Sequence, residues 1–154
     1  MTIKYTTGNI LRDMSEALVN PVNCVGVMGA GLALHFKRAF PDNFAAYKVA
    51  CDDNLVRLGK VFVFSNDEGR TIINFPTKDH WQDKSLLQNI RYGLEDMVNE
   101  INDRGIKSVA VPAIGCGLGG LKWSLVQPLI DSYLSDIDAN VTVFEPVNTS
   151  RNRL

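Results

Sequence analysis

Two glycine-rich stretches carry the residue types that handle anions. In NCVGVMGAGLALHF, Asn23 to Phe36, the glycines Gly26, Gly29 and Gly31 run straight into apolar positions at helical spacing. PAIGCGLGGLKW, Pro112 to Trp123, sets Gly115, Gly117, Gly119 and Gly120 ahead of another helical segment. Glycine removes Cβ, permits positive φ and leaves backbone N–H groups free to point at an anion beside a helix N-terminus. Either stretch alone reads equally as a phosphate loop or as a tight turn where a helix packs closely on a strand. Two such loops facing one another would clamp two linked phosphates, which points to a pyrophosphate ligand.

Other chemistries fit less well. Neither loop closes with Gly-Lys-Ser/Thr, so neither is a P-loop. Asn23 to Gly31 lacks G-x-G-x-x-G and no acidic residue follows a second strand at the right distance, which argues against an ordinary nicotinamide dehydrogenase. Cys24, Cys51 and Cys116 are odd in number with no Cys-x-x-Cys pair, so neither a zinc cluster nor a disulfide framework is indicated. Cys24 and Cys116 stand beside the loops without an obviously placed histidine and read as small packing residues. Lys78, in NFPTKDHW, follows a strand end, where a loop side chain can enter a pocket. From the residues alone it reads as a solvated lysine or a fixed cation for phosphate.

The elements that must position these loops alternate along the chain. Short β-branched runs at Ile3 to Thr6, Ala17 to Val22, Val61 to Ser65, Thr71 to Phe75, Ser108 to Pro112 and Val141 to Glu145 predict strands. The third and fourth are joined by NDEGR, which predicts a hairpin. Helices are predicted at Gly31 to Phe40, Asp42 to about Asp52, Ser85 to Asn102, and Ser124 to about Ser135. The third has an apolar face of Leu86, Ile90, Leu94, Met97, Val98 and Ile101, with Ser85 as its N-cap and Gly105 just past its end. Strands interleaved with helices favour an α/β class fold, a three-layer α/β/α sandwich with a central mixed sheet, as one domain over residues 1–154. Both glycine loops then fall at the carboxyl ends of strands, where such folds hold ligands.

Composition sets the remaining bounds. Lys plus Arg number 16 against 17 Asp plus Glu, so bulk charge holds no nucleic acid. Met1 to Asn9 is polar and no apolar run approaches bilayer length, giving the expectation of a cytoplasmic protein without a membrane partner, and of a monomer without metal or cofactor.

The ordered set GNIL, VNPVNCVGVMGAGLALHFKRAFP, NFPTKDHW, VPAIGCGLGGLKW and VTVFEP resembles a macrodomain, the ADP-ribose-binding module, over nearly the whole chain. Within it the sequence is similar to the branch of the terminal ADP-ribose protein glycohydrolase and the antitoxins that remove ADP-ribose from thymidine bases in DNA. The resemblance implies an ADP-ribosyl glycohydrolase acting on a modified macromolecule, with ADP-ribose or ADP-ribosylated DNA or protein as partner. An ADP-ribose 1″-phosphate phosphatase and a non-catalytic ADP-ribose-binding module remain as alternatives. It places Val27, Met28, Gly29, Gly31 and Leu32 of the first loop, and Ile114, Gly115, Cys116, Gly117, Leu118, Gly119 and Gly120 of the second, around pyrophosphate and distal ribose. Asn23 matches the residue contacting that ribose, and Ile10 and Thr77 line the ligand. Asn9 stands where the family has an acidic acceptor for the adenine amino group. Its oxygen still accepts, without charge assistance. Phe144 is an aromatic wall for adenine or a core residue of its strand.

The same resemblance makes Lys78 the catalytic nucleophile toward the anomeric carbon of the distal ribose. Protein-directed relatives carry an aspartate in the second loop after GCGL; here Gly119 and Gly120 follow, as in the DNA-directed type. His80 or Asp79 is then the candidate for proton transfer, imidazole titrating near neutrality, although His80 beside Trp81 also reads as ordering the loop. Trp81 stacks on a base or caps the loop, and His35 reads as exposed or structural.

Overall fold

The computed structural model describes residues 3–146. Six strands, β1 (Ile3–Thr6), β2 (Ala17–Val22), β3 (Phe62–Ser65), β4 (Thr71–Pro76), β5 (Ser108–Val111) and β6 (Asn140–Phe144), form one sheet in the order β1-β6-β5-β2-β4-β3. All neighbours are parallel except β3 and β4, the expected hairpin. Asn66 builds its turn: Oδ1 accepts from Glu68 and Arg70 N–H at 3.0 and 2.9 Å, and Gly69 follows at φ +84°. Four α-helices complete the described chain: α1 (Gly31–Ala39), α2 (Pro41–Asp52), α3 (Leu87–Arg104) and α4 (Trp123–Leu134).

Alternation along β2 explains the layers. Ala17 and Val19 face a core with Ile73, Phe75, Val109, Val111, Val141 and Val143, closed by Ile90, Leu94 and Met97 of α3 and Val126 and Ile130 of α4. Leu18, with Ile72 and Ala110, packs on Phe36 of α1, and Val22 packs with Tyr47 and Ala50 of α2. Each fully buried aliphatic or aromatic side chain contributes about 1.5–3 kcal/mol, so a strand flanked by helices on both faces holds its register firmly. Between Leu18 and Val22, Asn20 is also fully buried. Its Nδ2 donates to Asn74 Oδ1 at 3.1 Å, and Asn74 exchanges bonds with Asn43 of α2 at 2.8 and 3.1 Å. This amide cluster joins β2, β4 and α2 beneath the loop that follows β2.

The helix ends follow the sequence except at the start of α3, where Leu86, expected on the apolar face, lies outside the helix and is 61% exposed. Pro41 opens α2 at N1, and Phe40 is shared as the cap of both α1 and α2. Gly105 ends α3 in the left-handed region at φ +63°, its N–H donating back to Asn102 and Ile101 carbonyls. Ser85 is not the N-cap of α3. The helix starts at Leu87 after a cap residue, Leu86, that offers no side-chain bond. Ser85 is instead drawn to the second glycine loop, its N–H donating to Gly119 O at 2.9 Å.

Gly93 marks where α3 comes closest to the sheet. A Cβ there would press on the Phe75 ring, 2.7 Å from Cε1. Gly93→Ala should therefore destabilise the fold by about 1–3 kcal/mol, outweighing the ~1 kcal/mol that alanine gains in helix propensity. Urea unfolding measures the difference; an unchanged or raised midpoint would contradict the close packing.

Candidate functional site

The five parallel strands end along one edge of the sheet, and a cleft of about 960 Å³ lies there. Its wall is built from segments far apart in sequence: Gly8 to Ile10 after β1, Pro21 to Asn23 at the end of β2, Thr77 and Lys78 after β4, Pro112 and Ala113 after β5, and Phe144 to Pro146 at the end of β6. The strand order fixes their sequence in space. The segments after β1 and β6 make one end of the cleft and the segment after β4 the other, with both glycine loops between.

Asn23 organises the first loop. Its Oδ1 accepts from Val25 N–H at 3.1 Å and Val27 N–H at 3.4 Å, and its Nδ2 donates to Val27 O at 2.8 Å. The buried Tyr47 hydroxyl reaches both Asn23 O and Oδ1, at 2.7 and 2.9 Å. One Nδ2 hydrogen is left for the cleft, so the residue can donate there but hardly accept. Gly26 turns the loop at φ +85° against Lys48 and Cys51. Cys24 N–H donates to Asp79 O at 2.8 Å, and Thr77 N–H to Val22 O at 2.9 Å, which ties this loop to the segment carrying Lys78.

From there the chain enters α1 with Ala30 as cap, which has no side-chain oxygen to offer. The first bond of the helix is Leu34 N–H to Ala30 O at 3.3 Å, so the helix does not use the amides of Gly31, Leu32 and Ala33, all three on the cleft wall. In the second loop Cys116 N–H donates to Ala113 O at 3.1 Å, Gly120 N–H to Gly117 O at 3.1 Å and Leu121 N–H to Gly115 O at 2.9 Å. The amides of Gly117 and Leu118 have no backbone partner among the described residues. A helix N-terminus and a loop of free amides thus meet in one cleft, and both favour negative charge.

Most of the predicted site residues come together in this cleft: Asn9, Ile10, Asn23, Val27, Gly29, Gly31, Leu32, Thr77, Lys78, Gly115, Cys116, Gly117, Leu118, Gly119 and Phe144. Met28 and Ile114 are buried beneath it, at 1% and 0% exposure, and Gly120 lies outside against Lys84. Asn9 Oδ1 accepts Leu11 N–H at 3.0 Å and caps a short 3-10 turn, which leaves its other lone pair for the cleft. Phe144 is half-buried against Ile10 and Leu18 and also lines the cleft wall. Lys78 is half-buried on the same wall, and its ammonium has neither ion pair nor hydrogen bond among the described residues. His80 is off the wall: its Nδ1 accepts Gln82 N–H at 3.2 Å and its N–H donates to Asp83 Oδ2 at 3.0 Å. Trp81 is half exposed and lines the cleft. His35 is exposed.

Sequence reasoning missed Glu145 and Pro146, which extend the wall past Phe144, and Pro21 and Pro112 at the strand ends. The proline after SVAV and the one in VNPVN were legible as strand-end signals. Among the described residues no group of His, Cys, Asp and Glu could hold a metal ion, and no helix is long and apolar enough to cross a membrane.

The thiols are inert in this setting. Burial first, then the nearby Asp79 carboxylate, pushes the Cys24 thiol up to about 12, and burial pushes Cys116 up to about 11. At pH 8 such groups are thiolate on the order of one part in a thousand or less. Iodoacetamide at pH 8 should leave both unmodified in the native protein while it labels the denatured chain fully, as peptide mass mapping would show; rapid native labelling would contradict the packing reading.

A mixed sheet with helices on both faces and an edge cleft of uncommitted amides defines a three-layer α/β/α domain with an anion-receptive site. The chain belongs to the Macro domain family, whose model matches residues 19–130. The DNA ADP-ribosyl glycohydrolase of Mycobacterium tuberculosis is 46% identical over 97% of this chain and 44% of its own length. The solved macrodomain of Thermus aquaticus DarG is 44% identical with a TM-score of 0.90, covering 94% of this chain and 99% of that one. Thermosipho africanus DarTG, solved in complex with ADP-ribose, is 35% identical with a TM-score of 0.91 over 94% of this chain and 42% of its own. The chain spans less than half the length of the first curated relatives it matches.

Proposed function

We propose that this chain is an ADP-ribosyl glycohydrolase that removes ADP-ribose from a DNA nucleobase, with Lys78 as nucleophile. The observation that carries the reading is an uncommitted lysine on the wall of a cleft whose central amides are free for a diphosphate. The relative from M. tuberculosis, named for ADP-ribosylated DNA, and the Thermosipho protein solved with ADP-ribose support the ligand and the choice of substrate.

Diphosphate held by the amides of α1 and the second loop fixes the sugar nucleotide along the sheet edge. Adenine then lies toward Asn9 and Phe144 and the distal ribose toward Lys78, because those residues follow strands at opposite ends of the parallel row. In its neutral form the Lys78 amine attacks C1″ of the distal ribose. The C1″–base bond breaks, and the base leaves with the electron pair and takes up a proton. The amine loses a proton as the C1″–Nζ bond forms, and ring opening gives an imine. Water hydrolyses the imine to free ADP-ribose and the restored amine. No carboxylate stands at Gly119 or Gly120 to assist. The arrangement therefore suits a base that departs as a delocalised anion.

A panel of ADP-ribosylated DNA, ADP-ribosylated protein and ADP-ribose 1″-phosphate tests the assignment. Release of ADP-ribose from the DNA substrate is expected. Action on the protein or the phosphate alone would replace the DNA assignment, and binding of ADP-ribose with no turnover on any of them would leave a reader module.

A further inference from the structure

Past Lys78 the chain runs on as DHWQDK, and the two sides of this segment differ. Its acids are exposed yet engaged within the segment and its neighbour: Asp83 Oδ2 accepts the backbone N–H of His80 at 3.0 Å, and the Asp79 carboxylate lies near the Cys24 thiol. Trp81 stays outward, 50% exposed on the cleft wall. The His80 ring backs it, with centroids 5.1 Å apart and planes tilted by 34°, and His80 is itself pinned through Nδ1 by Gln82 N–H. The indole is thus held in place with one part of its surface free. Leu118, 67% exposed, lines the same cleft from the second loop. Lys84 lies along the outside of that loop, its Nζ 3.8 Å from where a Cβ on Gly120 would sit, in no ion pair among the described residues.

In the reading proposed above the loop amides take the diphosphate and the walls its two sugars, and none of that ligand calls for an indole beyond the lysine end. A supported, half-exposed aromatic with an unpaired cation three residues on in the chain is the recognition chemistry of an unpaired base and its neighbouring phosphate. We propose that Trp81 is the stacking platform for the nucleobase that carries ADP-ribose, displayed from a single strand, with Lys84 holding an adjacent phosphate. This rests on the DNA reading above. It also reconciles that reading with a net charge of −1, since stacking and the sugar nucleotide supply the affinity and only one or two phosphates are met.

The test measures steady-state kinetics on an ADP-ribosylated single-stranded oligonucleotide, and ADP-ribose affinity by calorimetry, for wild type, Trp81→Ala, Trp81→Phe and Lys84→Ala. Trp81→Ala should lower kcat/KM by about 10–100-fold, through KM, with ADP-ribose affinity changed by less than about threefold. Trp81→Phe should stay within about threefold of wild type, and Lys84→Ala should reduce the salt slope of log KM by about 0.7. In a Lys78→Ala, Trp123→Phe background the modified oligonucleotide should quench Trp81 fluorescence while ADP-ribose alone does not. A Trp81→Ala variant with wild-type KM overturns the platform alone, as does an equal loss of ADP-ribose affinity, which would make Trp81 a wall of the sugar site. A wild type inactive on modified DNA but active on modified protein overturns the DNA reading and the platform together.

Discussion

Lys78→Ala is expected to slow release of ADP-ribose by about 1,000-fold or more while ADP-ribose affinity stays within about threefold, because the proposed mechanism has the side chain form a bond only during the reaction. Lys78→Arg separates the two roles open to a cation on this wall. Arginine keeps the charge but is never a neutral amine, so it should bind ADP-ribose like wild type and turn over as poorly as alanine. Recovery of most of the rate in Lys78→Arg would show a fixed cation rather than a nucleophile. Borohydride added during turnover should reduce the imine to a stable adduct on the Lys78 peptide, visible by mass. Retention of wild-type rate in Lys78→Ala would remove the lysine mechanism outright.

Gly119→Asp should disable the protein rather than redirect it toward protein-linked esters. A Cβ at this position would overlap Ser85 Oγ and stand 2.6 Å from Gly115 O and 2.9 Å from Ser85 Cβ. Backbone on one side and a buried serine on the other leave no flexible neighbour to yield, so a loss of about 3 kcal/mol is expected, with the second loop displaced. Ser85→Gly in the same chain removes two of the three contacts and should restore part of the stability; the Gly115 carbonyl remains. Thermal melts and ADP-ribose calorimetry on Gly119→Asp, Gly119→Ala and the double variant read this directly. Full stability and ADP-ribose binding in Gly119→Ala would contradict the packing, and gain of ester-hydrolase activity in Gly119→Asp would contradict the specificity argument.

Local patterns carried most of the fold because they reflect local physics. Alternating β-branched runs, the NDEGR turn, Pro41 and Gly105 each act within a few residues, and each appears where expected. Ser85 shows the limit. Its sequence context is that of a helix cap, but a loop some thirty residues onward takes its backbone N–H, and no window of the sequence contains that contact. The same limit applies at the site. That glycine loops would flank a cleft was legible from their place after strands, and Lys78 and Asn9 lie on its wall. The place of His80 off the cleft wall and the use of Asn23's amide within its own loop depend on three-dimensional closure. Trp81 gave only its residue type; which face of it stays open depends on His80 stacking behind it.

The hairpin between β3 and β4 turns at Asn66–Arg70, at the opposite end of β4 from Thr77 and Lys78. Asp67, Glu68 and Gly69 are exposed there. A peptide epitope, a dye or a surface tether spliced between Asp67 and Glu68 can therefore report on the molecule, or hold it on a sensor chip, without crowding the mouth of the cleft.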